Sequence, residues 1–359
     1  MKRILLVVRT ELCVGGVPKV IMDLIHNLHD KYIFEVLTLS EKSGEYDNEL
    51  FECGGKLHRI HAFDADDCGM LFFLRPMQIK KKLNELFSLQ KYDAIHCHSG
   101  FDSAVCLKTA KKYGIPVRLV HSHGEYDYYK GRNIIINVLQ RIWKRQLNRY
   151  ATVRLTCSDV AGRSLYGNNS FTNVLNPVDI KEYADIEKKE HSGVNLVQVG
   201  YFSQIKNQIF SVKLLVELRK RGIDARLFMV GYKDEEEYYD ELCKTIEELK
   251  VSEYIEFLPS DYDKRELFSY GDYSLLPSKS EGLPLVALES QAAKVKCLMS
   301  DRISKDSCVG NAEFFEHDNL DAWAQGIIDD LADKNKKQPE FKGLSIEEYC
   351  EKISAFYEN

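Results

Sequence analysis

Two glutamates, Glu281 and Glu289, stand eight positions apart in the stretch SKSEGLPLVALESQAAK. The run YSLLP before this stretch is typical of a strand, and Pro284 suits the first turn of a helix. A helix start carries partial positive charge and free N–H groups, so Glu281 either caps the helix or works beside an anion-binding site. Because about 3.6 residues make one turn, Glu289 lies near the same helix start. The pair therefore predicts a ligand that combines hydroxyl groups with an anion.

A second loop of the same kind carries Lys206. It follows the predicted strand NLVQV and Gly200, and it precedes a helix predicted from Asn207. A lysine beside a helix N-terminus is electrostatically unfavourable unless an anion joins them, which favours phosphate binding. The alternative is a solvated surface lysine, as isolated lysines usually are.

Paired glycines, Gly15 and Gly16, end a third such loop, between the first predicted strand and a helix with Pro18 in its first turn. Glycines let the backbone approach a ligand closely, and the helix start favours phosphate. A tight turn explains the pair equally well, since the motif G-x-G-x-x-G is absent. Taken together, the three loops suit a nucleotide sugar, with its diphosphate on the N–H groups and its two sugar rings at the carboxylates.

Histidines end two other predicted strands: His96 and His98 lie in AIHCHSG, and His121 and His123 lie in RLVHSHG. Alternation along a strand places the members of each pair on like faces, so a metal site is geometrically conceivable. No cysteine or carboxylate stands at a spacing typical of zinc sites. We therefore interpret the histidines as a polar lip of the ligand cleft, with one of them contacting the substrate and no metal bound.

The elements that must position these residues alternate along the chain. Short β-branched and aromatic runs alternate with helical patterns, which predicts βαβ units and parallel sheets. The pattern restarts near Asn195, and 359 residues exceed the size at which one hydrophobic core keeps growing. We expect two domains, joined by a linker at the polar stretch 176–193. Since ligands bind beyond the carboxyl ends of parallel strands, two facing sheets would place one cleft between the domains.

Composition and charge exclude several classes of protein. The chain is 44% apolar, but no apolar run approaches the roughly 18 residues of a membrane-spanning helix. The start, MKRILLVVRTEL, predicts a first strand rather than a signal peptide. Ten cysteines without a C-x-x-C pair predict reduced thiols in a cytoplasmic protein. The net charge of −6, with +6 over residues 1–180 and −12 over residues 181–359, gives no indication of a nucleic-acid partner.

The stretch 130–154 is an exception to the acidic balance. It interleaves basic and apolar residues in the pattern of an interfacial helix on an anionic membrane. The alternative is that its apolar positions face the core. Its basic residues are Arg132, Arg141, Lys144, Arg145, Arg149 and Arg154.

With these residues identified, the chain resembles the retaining glycosyltransferases of family 4, especially bacterial enzymes of exopolysaccharide and capsule assembly. The most specific match is the pair of glutamates separated by seven residues and followed by QAA and a short strand. Further matching stretches are GGVPKV, DAIHCHSG, PVRLVHSHG, CSDVAGRSLYG, NPVD and GYFSQIKN. The resemblance implies the GT-B fold, an α/β architecture of two Rossmann-like domains facing each other across a cleft. Residues 1–176 would form the acceptor-side domain, completed by the helix 346–359, and residues 177–345 the donor domain.

The resemblance also assigns a role to each matching residue. Lys206 would neutralise the donor diphosphate, Glu289 would bind the ribose, and Glu281 would contact the donor sugar. His123, or His121, would contact that sugar near the reacting carbon. The catalytic residues would be Glu281, His123 and Lys206, acting without a metal ion or other cofactor. Backbone groups of six further residues would surround the phosphates: Gly15, Gly16, Gly282, Leu283, Leu285 and Val286.

The activity implied by the resemblance is retaining transfer from a nucleotide sugar, taken as a UDP-sugar, to a lipid-linked or growing glycan at the inner face of the cell membrane. Three positions depart from the family pattern. Tyr201 stands where an arginine is usual, and Lys294 and Lys296 replace a glycine and a proline. Losing one cation at a leaving group costs on the order of 100-fold in rate. Two alternatives therefore stay open: a sugar-nucleotide-binding partner subunit with little catalysis, and a nucleotide-sugar 2-epimerase.

Overall fold

The computed structural model describes residues 1–60, 74–126, 134–333, 335 and 338–359. The chain divides into two compact units by its internal contacts. The first unit contains Met1–Pro177 and Leu344–Asn359, and the second contains Val178–Gly343.

A seven-stranded parallel sheet forms the first unit, in the order β3-β2-β1-β4-β5-β6-β7. Its central strands read as nearly continuous apolar runs because helices cover both faces of such a sheet. The strands are β1 Lys2–Val8, β2 Tyr32–Thr38, β3 Lys56–Arg59, β4 Ala94–His98, β5 Val117–Ser122, β6 Val153–Thr156 and β7 Thr172–Asn173. The helices are α1 Gly16–Leu28, α2 Asp47–Glu52, α3 Arg75–Leu89, α4 Ser103–Lys112, α5 Ile134–Tyr150 and α6 Asp159–Tyr166.

The last helix of the chain returns to the first unit. This helix, α13 Ile346–Glu358, begins with a capping box between Ser345 and Glu348. It packs on α1 and β2, where the rings of Tyr32 and Tyr357 meet edge to face with centroids 5.4 Å apart. A short strand before it, β15 Leu344–Ser345, pairs with β8 Pro177–Val178.

A six-stranded parallel sheet forms the second unit, in the order β11-β10-β9-β12-β13-β14. Its largest fully buried side chain is Trp323, which packs between Phe210 and Phe315. The strands are β9 Val194–Val199, β10 Ala225–Val230, β11 Ile255–Leu258, β12 Tyr273–Leu276, β13 Lys296–Ser300 and β14 Ala312–Phe315. The helices are α7 Ile180–Ala184, α8 Gln208–Lys220, α9 Glu236–Leu249, α10 Lys264–Tyr270, α11 Leu285–Ala292 and α12 Leu320–Ala332.

The prediction of parallel sheets built from βαβ units is confirmed. The predicted linker 176–193 contains the boundary between the two units, but part of it forms regular secondary structure. β8 and α7 lie inside that stretch. Asp179 caps α7 by accepting a hydrogen bond from the backbone N–H of Glu182. Tyr183 is buried against Phe268, with ring centroids 6.0 Å apart. The sequence pattern does not indicate α7, because the stretch is rich in charged residues and the helix buries only one side chain, that of Tyr183.

Two further observations concern the whole described chain. None of its described helices has both the length and the apolar character required to cross a membrane. Nine cysteines fall within the described residues, and all nine carry free thiols.

Candidate active site

Lys206 lies in the loop between β9 and α8, and a glycine shapes that loop. Gly200 has a φ of +151°, and a Cβ there would approach the Lys206 side chain to 3.3 Å. A glycine is therefore required for the lysine to lie across this turn. The Gln198 side chain donates a hydrogen bond of 2.9 Å to the backbone carbonyl of Lys206. Asn207 then adopts the left-handed conformation, with φ 56°, as α8 begins.

The structure brings Lys206 and Glu281 together from loops 75 residues apart. Lys206 Nζ lies 2.5 Å from Glu281 Oε1, and the two side chains are 14% and 15% exposed. The loops are fixed to each other because the Lys279 N–H donates to the Ile205 carbonyl at 2.8 Å. An ion pair so withdrawn from water is stronger than a surface pair. The surface-lysine alternative for Lys206 is therefore wrong.

Glu281 does not cap the helix that follows it. α11 has Pro284 at its N-cap position, with no side-chain cap and no acidic residue in its first turn. The N–H groups of the helix start thus keep their positive potential without a carboxylate on them. Four residues of the sequence prediction lie at this end of the helix: Gly282, Leu283, Leu285 and Val286.

Glu289 lies on α11 and is buried, with 3% of its surface exposed. Its Oε1 accepts a hydrogen bond of 2.5 Å from Lys264 Nζ at the start of α10. Its Oε2 is also buried and has no hydrogen-bond partner among the described residues. A carboxylate withdrawn from water is costly unless a cation or hydrogen bonds replace its hydration, and the Lys264 ammonium group supplies such a partner.

Lys264 is the residue that sequence reasoning missed. It stands 25 positions before Glu289 and belongs to a different helix. No periodicity or local motif links the two positions, since the contact depends on how α10 and α11 are placed in the second unit. Only the tertiary structure identifies it.

Gly15 and Gly16 lie at the start of α1 in the first unit. Gly15 is the N-cap residue in extended conformation, and no side chain caps this helix. A Cβ added to Gly16 would meet no atom within 4 Å. The packing of the described residues therefore does not require a glycine at position 16, and the backbone there is open to close approach.

The histidines form a cluster in the first unit rather than an exposed lip. His96, His98 and His121 are buried, with 0%, 5% and 0% of their surface exposed. His123 is half-buried, and its Nε2 lies 2.8 Å from His98 Nδ1. Burial lowers the pKa of His123 to about 4, although Asn176 favours its charged form. Of the two candidates for a substrate contact, His123 is the more accessible.

The basic stretch 130–154 corresponds largely to α5, while Arg132 lies outside the described residues. Leu147 is fully buried and Trp143 packs against the same core, as the core-facing alternative expects. Val138 and Ile142 are 49% and 41% exposed, which fits the interfacial alternative. The core-facing interpretation thus holds for Leu147 and Trp143, while the membrane contact stays a prediction. A cavity of about 510 Å³ beside it is lined by Arg141, Lys144, Arg145, Asn148, Arg149, Tyr166, Gly167, Asn168 and Asn169.

Two family models match the chain in succession. The model described as Glycosyltransferase Family 4 matches residues 14–180, and the model described as Glycosyl transferases group 1 matches residues 179–342. The chain belongs to the family 4 glycosyltransferases. The resemblance stated from the sequence is confirmed.

Curated relatives of this glycosyltransferase carry corresponding names. Putative glycosyltransferase EpsF of Bacillus subtilis (strain 168) is 28% identical over 311 residues, which cover 81% of this chain and 77% of EpsF. Capsular polysaccharide biosynthesis glycosyltransferase CapH of Staphylococcus aureus is 23% identical over 77% of this chain and 75% of CapH.

Solved structures confirm the GT-B fold of the glycosyltransferase. Anabaena Alr3699/HepE, crystallised in complex with UDP and separately with UDP-glucose, superposes with TM-scores of 0.73 and 0.71. Each alignment covers 99% of this chain and 95% of the other, at 15% sequence identity. At that identity the likeness concerns the fold alone.

Tyr201, at the position where the sequence resemblance expects an arginine, lies beside Lys206 in this glycosyltransferase. Burial raises the pKa of its phenol to about 12, and the charges of Glu281, Asp234 and Glu235 add to the shift, so the side chain is neutral. Lys206 Nζ lies 5.2 Å from the centroid of its ring, a cation–π distance. The tyrosine therefore holds the lysine without supplying a second cation.

Proposed function

We propose that this glycosyltransferase transfers a sugar from a UDP-sugar to a lipid-linked or growing glycan, with retention at the anomeric carbon, in cell-surface polysaccharide biosynthesis. The observation that carries the proposal is the Lys206–Glu281 pair in the second unit, on a chain that also has an uncapped α11. The complexes of HepE with UDP and UDP-glucose support the donor class. The name of CapH supports the biosynthetic role.

In the proposed donor complex, Lys206 exchanges one anion for another. Its ammonium group leaves Glu281 for the diphosphate, and the freed carboxylate accepts hydrogen bonds from hydroxyl groups of the donor sugar. The backbone N–H groups of Gly282, Leu283, Leu285 and Val286, just before and at the start of α11, bind the phosphate oxygens. Lysine and helix start together stabilise the negative charge that develops on the leaving diphosphate, so the transfer requires no metal ion.

The ribose hydroxyls are assigned to Glu289. Its Oε2 is buried without a partner, while Lys264 holds Oε1 in place. A diol that donates two hydrogen bonds to one carboxylate would satisfy the unpartnered oxygen. This supports the prediction that Glu289 recognises the nucleoside part of the donor.

Residues of the first unit keep their predicted roles as part of the proposal. The open backbone at Gly15 and Gly16 would approach the donor phosphates. His123, with His121 behind it, would contact the donor sugar near the reacting carbon. Burial keeps both imidazoles neutral at pH 7, since it lowers their pKa values below the usual range. A neutral imidazole can donate one hydrogen bond and accept another.

The basic face of α5 is the proposed contact with the acceptor or its membrane. Arg141 and Arg145 are exposed and have no ion-pair partner in the part of the chain that the structure describes. With Lys144 and Arg149 they line the cavity of about 510 Å³, which suits phosphate groups of a lipid-linked acceptor or of anionic lipid. The exposed Val138 and Ile142 would enter the interfacial region of the bilayer.

The test combines donor binding with product analysis in the Lys206→Ala and Glu289→Gln variants. We expect each substitution to weaken UDP-sugar binding, measured by calorimetry, by roughly 10-fold or more, because each removes a charged hydrogen-bonding partner of the ligand. The control is Lys220→Ala, an exposed position at the far end of α8. Unchanged donor binding in both site variants would refute the site.

Product analysis separates the alternative functions. A glycan formed only with acceptor and enzyme supports transfer, whereas epimerised donor formed without acceptor indicates a 2-epimerase. Tight donor binding with neither product would favour a binding subunit. The neutral Tyr201 at the arginine position is the observation that keeps this last candidate open.

A further inference from the structure

The donor chemistry proposed above leaves most of a buried histidine cluster unexplained. His96 and His98 lie on β4, His121 lies on β5, and His123 follows β5 directly. Because β4 and β5 are neighbours in the parallel sheet, the four rings meet at the carboxyl ends of the two strands. Neighbouring rings have centroids between 4.1 and 5.6 Å apart.

Three of these histidines bring ring nitrogens close to one another. One ring nitrogen from each of His96, His98 and His121 lies within 4.8 Å of the other two. Nitrogen ligands of a tetrahedral Zn²⁺ ion, at about 2.1 Å from the metal, are about 3.4 Å from one another. Rotation about the side-chain torsions closes the remaining difference of about 1.4 Å.

Two ring nitrogens of the cluster lack a hydrogen-bond partner among the described residues. His96 Nε2 and His98 Nε2 are both buried, and neither has a hydrogen-bond partner among the described residues. Unpaired polar atoms in a protein interior are costly and require an explanation. A bound cation would satisfy both lone pairs.

The opposite nitrogens of the same two rings are already held in place. His96 Nδ1 lies 2.8 Å from the Tyr357 hydroxyl on α13. His98 Nδ1 lies 2.8 Å from His123 Nε2. Histidines that ligate a metal through one nitrogen characteristically form a hydrogen bond through the other, which fixes the tautomer and the ring orientation.

We propose that His96, His98 and His121 bind a divalent transition-metal ion, best fitted by Zn²⁺, and that Tyr357 and His123 orient two of the ligands. Imidazole donors select zinc and similar ions over magnesium or calcium. Three histidines leave one tetrahedral position for water.

The ion would have a structural role, in a cluster whose His121 and His123 also belong to the proposed donor contact. It would join the carboxyl ends of β4 and β5 and, through Tyr357, the last helix of the chain. The sequence analysis interpreted these histidines as a polar lip without a metal, and this proposal departs from that interpretation.

Metal content of the untagged full-length protein tests the proposal. The protein is incubated with Zn²⁺, desalted and analysed by mass spectrometry of the metal, and we expect retention of about one ion per chain, as in other three-histidine sites. His121→Gln should abolish this retention. His26→Gln, at a histidine on α1 whose side chain is 41% exposed, is the matched control and should retain the ion.

A second variant tests the orienting role. Tyr357→Phe keeps all three ligands but removes the partner of His96 Nδ1, so we expect Zn²⁺ affinity, measured by competition with a chelating dye, to fall about 10- to 100-fold. The proposal is overturned if the wild-type protein retains no stoichiometric Zn²⁺, or if His121→Gln retains as much. Should His121→Gln not fold by circular dichroism, an unchanged melting temperature of the wild-type protein with Zn²⁺ overturns it instead.

Discussion

At the scale of single residues, each predicted carboxylate is paired with a lysine from another element. Glu281 pairs with Lys206 and Glu289 with Lys264, both at 2.5 Å. The two carboxylates differ in burial, since the Glu289 side chain is only 4% exposed and that of Glu281 is 15% exposed, whereas Lys264 is more exposed than Lys206. Removing Lys264 would leave a buried charge unpaired, whereas Lys206 is free to exchange partners. In the proposed site, Lys264 would therefore be a positioning residue and Lys206 a ligand-binding one.

Tyr201 supports a prediction at the same scale. Tyr201→Arg introduces the cation that relatives usually have beside the leaving diphosphate, and we expect kcat to rise by roughly 10- to 100-fold. The introduced arginine would lie near Lys206 and repel it, so the melting temperature without nucleotide should fall. The stabilisation of the variant by UDP should increase, because the diphosphate neutralises both cations. Steady-state kinetics and thermal unfolding measure the two effects.

Tyr201→Phe is the control for that prediction, because it preserves the ring under Lys206 and adds no charge. Its turnover should stay near the wild-type value. A decrease of turnover in Tyr201→Arg would show that the tyrosine is adapted to a different donor geometry.

At the scale of elements, a buried carboxylate joins the first three strands of the first unit. Glu35 on β2 accepts hydrogen bonds from Arg3 on β1, at 2.5 Å, and from Tyr92, at 2.6 Å, and it contacts His58 on β3 at 2.8 Å. Gln90 donates to the same carboxylate. Burial opposes ionisation, but these partners outweigh it and lower the pKa of Glu35 to about 2.

The lowered pKa predicts how the stability of the first unit depends on pH. A carboxyl group with an ordinary pKa of 4.5 that falls to about 2 on folding stabilises the native state above pH 4.5. That contribution is lost as the pH falls from 4.5 toward 2. Glu35→Gln should therefore lower the free energy of unfolding by about 1–3 kcal/mol at pH 7, with a smaller difference from wild type near pH 3.

Urea unfolding of both proteins across this pH range measures the difference. Glu41→Gln, at an exposed position, is the control. A difference between Glu35→Gln and wild type that stays constant between pH 7 and pH 3 would contradict the assignment.

At the scale of the whole molecule, the first unit is discontinuous in sequence. Its last helix, α13, buries Tyr349, Ile353 and Tyr357 almost completely. Each such side chain contributes roughly 1.5–3 kcal/mol on burial, so the three together approach the net stability of a typical domain. The second unit contains no part of this helix.

Truncation tests this dependence. A chain that ends at Gly343 should lose the fold of the first unit, while residues 178–343 keep theirs. Limited proteolysis should then digest the N-terminal half and leave a resistant fragment of the second unit. A chain that lacks only Asn359 serves as the control, and equal protease resistance of the two chains would contradict the prediction.

Much of this architecture was predictable from the sequence because its signals are local. The predicted strand NLVQV, residues 195–199, is observed at Val194–Val199, and the helix predicted from Asn207 is observed at Gln208–Lys220. Apolar periodicity and the residue types of loops involve only a few neighbouring positions, so they can be recognised in the sequence alone. The paired glutamates were found for the same reason, since one short stretch contains both. The helix within 177–184 was missed because its only buried side chain is one tyrosine.

The sequence by itself determined the family, the two parallel sheets and the loops that hold the candidate donor site. Only the tertiary structure decided the partners of those residues: Lys206 for Glu281, Lys264 for Glu289, and four histidines in one cluster. Such contacts depend on strand order, which places β4 beside β5 and β9 beside β12. The strand order is the one with the lowest free energy for the unit as a whole. No single stretch of the chain therefore specifies it.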